Sequence, residues 1–340
     1  LLRFSPWCVP VRHAYLQLGG IPMFRLIKFL AILIVGAAAG WAAREIAGPQ
    51  PWSQWITQVA KKGTAAFTDN DDAIKIASWN LQVLGQEKMA DPDAVSRIAE
   101  TIRQFDVVAL QGIRSSQQDV LPRLIAAANA NGDDYNFVIG PRVGVGEERE
   151  QFAFVYDASR IEIDHARVFT VSDPGDRLLR DPLAALFRVR GPEPTEAFTF
   201  VLVNTNVNPS WPDGELEALA DVFRAIRNSG LGEDDVILLG AMNKTAEELG
   251  GLRRIPQINW VAAGAPTTVR QTAELDNMLF HSAATREFTG RGGVLNLEAQ
   301  FSLSRDEVLR FADHLPVWAE FSVIEGGRVG YVGGKARQAR

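Results

Sequence analysis

Between residues 73 and 323 the hydrophobic positions switch repeatedly between two periods. Residues 74–79 alternate apolar and polar and predict a strand ending at Asn80. Residues 94–105 (AVSRIAETIRQF) place apolar side chains at helical spacing, and 107–110 form a short buried strand. The spacing then predicts a helix over 121–130, a strand around 137–139, and strands over 152–156, 184–189 and 198–204 with Gly and Pro between them. An amphipathic helix at 216–227, a buried strand at 236–239 and strands at 278–280 and 317–323 close the series. Many strands, few helices and no internal sequence repeat predict one layered α/β sandwich domain over 73–323.

Ahead of that body the pattern is different. Residues 1–22 have no periodicity and begin with Leu1, which suits an upstream extension ahead of a start at Met23. Residues 23–45 then combine the positive flank Arg25/Lys28, the fifteen apolar or small residues 29–43, and small residues before Arg44. This is the layout of a signal peptide; with Leu26 and Ile27 added it also suits an uncleaved membrane anchor, and a buried helix is the third reading. Under the first two the body is exported, either periplasmic or extracellular, or tethered to the cytoplasmic membrane facing outward. Residues 46–72 read as a linker, and the Gly- and base-rich residues 324–340 as a flexible tail.

Composition narrows the classes. The chain has 340 residues, 46% hydrophobic and 22% charged, with a net charge of −6. Seven Lys/Arg against four Asp/Glu in residues 1–72, and four against one in 324–340, leave −12 on the body. A surface that acidic disfavours a high-affinity polyanion binder, although a local field at a site still suits a nuclease. Cys8 is the only cysteine and precedes the body, so the fold has no disulfide, zinc–thiolate cluster or thiol nucleophile.

Eight strand ends carry polar residues in a recurring order: ASWNLQ (77–82), VVALQGIR (107–114), EQFAFVY (150–156), LLRDPLAALF (178–187), FVLVNTNVNP (200–209), VILLGAMN (236–243), TAELDNMLF (272–280) and FADHLPVWAEF (311–321). The series resembles the endonuclease/exonuclease/phosphatase superfamily, the deoxyribonuclease-I-like proteins, over essentially the whole body. The resemblance implies a four-layer sandwich of two packed, mixed and mostly antiparallel sheets flanked by helices. It also implies Mg²⁺-assisted hydrolysis of phosphate esters, with a phosphate-ester ligand or nucleic acid as partner; nothing in the pattern calls for an oligomer. A hard cation needs carboxylate ligands, and an imidazole–carboxylate pair handles protons near neutrality. On the matching positions the resemblance puts Asn80 and Asp313 beside the metal and Arg114 and Arg180 on substrate phosphate or in ordering the site. It makes Glu150 a histidine's carboxylate partner, Asn243 the last residue of a GDxN motif, and His314–Asp276 the catalytic pair. Read without the resemblance, Asn80 and Asp276 are also ordinary strand-end caps.

Three positions depart from the family pattern. Gly112 stands where the principal metal carboxylate belongs, Asn206 where the first catalytic histidine belongs, and Ala241 where the GDxN aspartate belongs. An amide neither gives nor takes a proton near neutral pH. Two functions follow from this set. One is an impaired hydrolase or pseudoenzyme that keeps part of a phosphate pocket. The other is an active, divergent phosphodiesterase or phosphatase whose metal has moved, with Glu87 or Glu150 replacing the missing ligand.

Overall fold

The computed structural model describes residues 71–229, 232–327 and 330, and the statements below concern these residues. Two units divide the chain, Leu1–Gln50 and Pro51–Arg340, and every described residue lies in the second. The extension, leader or anchor, and nearly all of the predicted linker and tail lie outside the described residues. No helix among those described is long and apolar enough to cross a membrane.

Twelve strands form two six-stranded sheets. The first runs β11 (Phe288–Val294), β12 (Val317–Ser322), β1 (Ala73–Leu84), β2 (Val107–Ile113), β4 (Gln151–Asp157), β3 (Tyr135–Ile139). The second runs β5 (Ile161–Thr170), β6 (Leu183–Val189), β7 (Thr199–Asn206), β8 (Val236–Ala241), β10 (Asp276–His281), β9 (Ile258–Trp260). Each sheet has one parallel pair, β1–β2 and β7–β8, with antiparallel pairings on both sides of it. The two sheets therefore repeat one pairing pattern, although no repeat is legible in the sequence. A parallel pair needs a crossover, and helices supply both: α2 (Pro92–Ile102) before β2 and α4 (Pro212–Arg227) before β8. Proline at the first turn starts each helix, and the Asp91 side chain also accepts from the backbone N–H groups of Asp93 and Ala94 at α2.

Three apolar layers hold this together. Between the sheets lies a core rich in phenylalanine, in which Phe154, Phe187, Phe198, Phe200, Phe280 and Phe321 meet ring to ring. A second layer packs the first sheet against α2 and α3 (Val120–Ala128), and a third packs the second sheet against α4. The four-layer sandwich expected from the sequence is present. Central strands buried on both faces explain the continuous apolar runs such as 236–241. Three strands escaped the sequence pattern. β5 carries Asp164, His165 and Arg167, β9 has only three residues, and β11 is the glycine-rich FTGRGGV; all are edge strands, where burial no longer enforces alternation.

Candidate active site

Parallel pairing fixes where the polar strand ends meet. β7 and β8 run together so that Asn206 lies beside Ala241, and β10 runs back so that Asp276 lies on the other side of Ala241. Asn206, Ala241 and Asp276 thus form one row across three strands spaced about 4.8 Å apart. On the first sheet, Asn80 lies opposite Gln111 on β2, next to Gly112. A buried amide pair ties the sheets together beneath this edge. Gln111 Nε2 donates to Asn204 Oδ1 at 2.7 Å, and Asn204 Nδ2 donates to the Leu110 and Ala153 carbonyls. The hydrophobic pattern hides Asn204, and Gln111 is legible there only as a strand end; their signal was the presence of amides inside otherwise apolar strands.

One half of the site is a closed ion-pair cage. Glu150 is fully buried, and its carboxylate meets Arg180 Nε at 2.6 Å. The Gly112 N–H donates to it at 2.6 Å and Asn206 Nδ2 at 2.8 Å. Burial pushes its pKa up, while Arg180, the Gly112 N–H, Arg114 and Asn206 all pull it down. Arg180 is 3% exposed and also reaches the Asn206 carbonyl and Glu148, a residue missed in the sequence. Its nitrogens face protein groups, Nε meeting Glu150 as an ion pair outside hydrogen-bond geometry, which favours the ordering role over direct phosphate contact. Arg114 is only half-buried, and its Nε likewise has no hydrogen-bond partner.

The other half keeps a titratable pair. His314 Nδ1 lies 2.7 Å from Asp276 Oδ2, and the Thr267 hydroxyl donates to the same oxygen at 2.7 Å. Thr267 in turn accepts from the backbone N–H groups of Leu275 and Asp276, so one loop braces the pair. Burial alone would lower the pKa of His314, but the charge and hydrogen bond of Asp276, together with Asp313, raise it to about 8. Asp313 Oδ2 stands 4.0 Å from His314 Nε2, and Asp313 Oδ1 is buried without a partner. Asn243 lies two residues past Ala241 with φ 53° and donates to the Val207 carbonyl at 2.6 Å, which holds the end of β7 against β8.

The backbone at position 112 is specialised. Gly112 has φ +78°, and a Cβ there would lie 2.7 to 2.9 Å from the backbone of Gln82. Gln82 itself has φ 54° and is held by its N–H donating to Asn80 Oδ1 at 2.8 Å. Both strands break register here. On this backbone the space for a side-chain stem at 112 is filled by the neighbouring strand.

A Mg²⁺ ion needs several free oxygens at one point. Glu150 is engaged by three donors, Asn80 Oδ1 is taken by Gln82, and Glu87 is exposed on α1 (Gln86–Met89) without an ion pair to a described residue. The buried carboxylate oxygens left free at this end are Asp313 Oδ1 and Asp276 Oδ1, too few for such a shell. Lys88, also missed in the sequence, donates to the Leu81 carbonyl at 2.8 Å and feels the charge of Asp313; burial lowers its pKa and Asp313 opposes that shift. Among the described residues, the groups of three or more ligating side chains that converge on one point all lie elsewhere. These residues do not fit a Mg²⁺ centre of the kind the family resemblance implies.

The family match covers the strand ends from Asn80 to Asp276 and stops short of Asp313 and His314. The profile of the endonuclease/exonuclease/phosphatase family matches residues 77–296, and the chain belongs to that family, with a phosphodiester-hydrolase domain of the deoxyribonuclease-I-like fold. Deoxyribonuclease-1-like 1 of Sus scrofa is 27% identical over 265 residues, covering 74% of this chain and 82% of that one. Among solved structures, an endonuclease/exonuclease/phosphatase family protein from Bacteroides thetaiotaomicron superposes with a TM-score of 0.54 at 16% identity, covering 74% of this chain and 98% of the other. D. rerio TDP2 complexed with single strand DNA product superposes with a TM-score of 0.51 at 16% identity, covering 74% and 100%.

Proposed function

We propose that this domain binds a phosphate ester and hydrolyses it poorly or not at all, as an impaired member or pseudoenzyme of its family. The observation that carries the reading is Gly112. Its left-handed backbone sits against Gln82, and its N–H serves as a donor to Glu150, so the metal-carboxylate position has become part of a static cage. Asn206 completes that cage where a proton-transferring group would stand. Ala241 is apolar and fully buried between Asn206 and Asp276, leaving no carboxylate to activate water there. Arg114, Lys88 and protonated His314 remain as cations for a phosphoryl group. Nucleic acid is the ligand class favoured by the deoxyribonuclease relative and the single-strand DNA complex, whereas the acidic body favours a short or monomeric ester. Export or membrane tethering through residues 23–45 rests on their sequence pattern alone.

The test uses the full chain. Calorimetry is expected to show inorganic phosphate binding that does not depend on Mg²⁺, and plasmid DNA and a chromogenic phosphodiester are expected to survive incubation with Mg²⁺. Metal-dependent turnover that disappears in His314→Ala would sink the reading. The triple reversion Gly112→Glu, Asn206→His, Ala241→Asp is not a clean control, because the first of these side chains collides with Gln82 on this backbone. Asn206→His with Ala241→Asp restores two groups without that clash, and a gain of hydrolysis in it would report the ancestral reaction.

One observation favours the active alternative: the His314–Asp276 pair is intact, with the imidazole held near pKa 8, suited to protonating a leaving group. That alternative uses a cation shifted towards Asn80, Glu150 and Asp313. It requires Glu150→Gln to abolish turnover, and turnover surviving that change removes it.

A further inference from the structure

The strongest unassigned feature lies at the opposite end of β8 from Ala241, six residues and about 20 Å away along the strand. Glu233, Asp235 and Glu287 are buried there, with Asp234 and Glu325 half-buried. Single oxygens of Asp235, Glu287 and Glu325 lie within 4.8 Å of one another, as do those of Glu233, Asp234 and Asp235. Asp235 belongs to both sets. It is 0% exposed, and neither of its carboxylate oxygens has a hydrogen-bond partner. Glu287 Oε2 is also buried and unpartnered. The Thr285 hydroxyl lies close enough to Asp235 to temper its charge but does not meet hydrogen-bond geometry. No Lys, Arg or His among the described residues forms an ion pair with Glu233, Asp235, Glu287 or Glu325.

Glu325 accepts from the Thr199 and Gly327 N–H groups, Glu233 from the Thr199 hydroxyl and the Asp235 N–H, and Glu287 Oε1 from the Gly326 N–H, so the oxygens left over are both of Asp235 and Oε2 of Glu287. From these unpartnered oxygens and the convergence of the carboxylates on them we infer that Asp235, Glu287 and Glu325, with Glu233 beside them, form a structural calcium site distant from the candidate active site. A buried carboxylate is costly unless a counter-charge or a proton neutralises it. Oxygens bound to one Ca²⁺ at about 2.4 Å lie at most about 4.8 Å apart, and the grouped oxygens here lie within that limit of one another. Ca²⁺ accepts six to eight oxygens in irregular geometry, whereas Mg²⁺ asks for a small octahedron and keeps several waters that a buried pocket does not hold. The competing occupant is the proton. Burial and the neighbouring carboxylates push Glu233, Asp235 and Glu325 up, Asp235 to about 9. Calcium here would tie the start of β8 to the residues before β11 and after β12, one from the second sheet and two from the first. It would join the sheets at one end, as Gln111 and Asn204 do at the other.

The test is titration of the full chain with Ca²⁺ alone at pH 7.5, after removal of divalent ions, followed by calorimetry and thermal unfolding. Saturable binding is expected between roughly 0.1 and 1 mM, the range of extracellular calcium modules, with a rise in Tm of several degrees and at least about tenfold preference over Mg²⁺. Asp235→Asn is nearly isosteric and removes a buried charge, so it is expected to fold, to lose the calcium response and to match or exceed the calcium-free wild type in Tm. Asp313→Asn, at the other end, is expected to keep the full response. The proposal is overturned by no response to Ca²⁺ up to roughly 10 mM, by a response that survives Asp235→Asn, or by one that vanishes with Asp313→Asn.

Discussion

The two halves of the candidate site stand on neighbouring strand ends and treat their charges in opposite ways. Around Glu150, every strong contact is made to a group that does not titrate near neutrality: a guanidinium, a backbone N–H and an amide. Around His314 the carboxylate partner is matched to an imidazole whose pKa lies near 8. A carboxylate in a cage of permanent donors stabilises and does not move protons. A carboxylate against an imidazole can do both. A carboxylate at a strand end thus has permanent donors as partners in one half and a titratable partner in the other.

The contrast can be broken most severely at Arg180. Arg180→Ala leaves Glu150 buried without its cation, and a loss of about 3–5 kcal/mol is expected in urea unfolding. A loss below about 1 kcal/mol would mean that the amide and backbone donors suffice, and that the cage is not held by the ion pair.

Gly112→Ala comes next. Its Cβ meets the Gln82 backbone at 2.7 Å or slightly more, at a φ unfavourable for L-residues, so a destabilisation of about 2–3 kcal/mol is expected with no gain in Mg²⁺ affinity by calorimetry. Enhanced Mg²⁺ binding in this variant would show that the strand relaxes readily, and would return position 112 to the active reading.

At His314 the expected effect is a pH dependence. Its folded pKa of about 8 lies above the ordinary value of 6.5, so protonation stabilises the fold. That contribution is complete below about pH 6.5 and is lost as the pH rises through 8, amounting to about 2 kcal/mol. The slope of stability against pH over this window should become shallower by that amount in His314→Gln, the buried carboxylates around Asp235 supplying the slope that remains, and an NMR titration of the imidazole should report the pKa directly. An imidazole titrating below 6.5 would mean that burial outweighs Asp276.

The smallest effect is expected at Glu87. Its exposed carboxylate holds no ion pair to a described residue, so Glu87→Gln should stay within about 0.5 kcal/mol of the parent in unfolding and leave phosphate binding unchanged. A drop in Mg²⁺-dependent turnover there would revive Glu87 as a relocated ligand.

The sequence by itself determined the layers. Continuous apolar runs such as those at 107–110 and 236–239 can be buried only in strands covered on both faces, and the helical periods at 94–105 and 216–227 supply the covers. It also carried the family resemblance, in the order of the eight strand-end motifs, whereas pairing between the strands decided which of those ends stand side by side. It did not determine the edge strands β5, β9 and β11, where an open edge removes the constraint that produces a pattern. Nor could it show that Asn206 donates to Glu150, that Lys88 answers Asp313, or that Asp235, Glu287 and Glu325 converge from distant parts of the chain. Those are long-range encounters of single polar groups, set by how two twisted sheets pack. Gly112 shows the division most clearly. The sequence shows a glycine at a strand end, but only the fold shows that the backbone of Gln82, fixed by Asn80, fills the space that a side chain there would need.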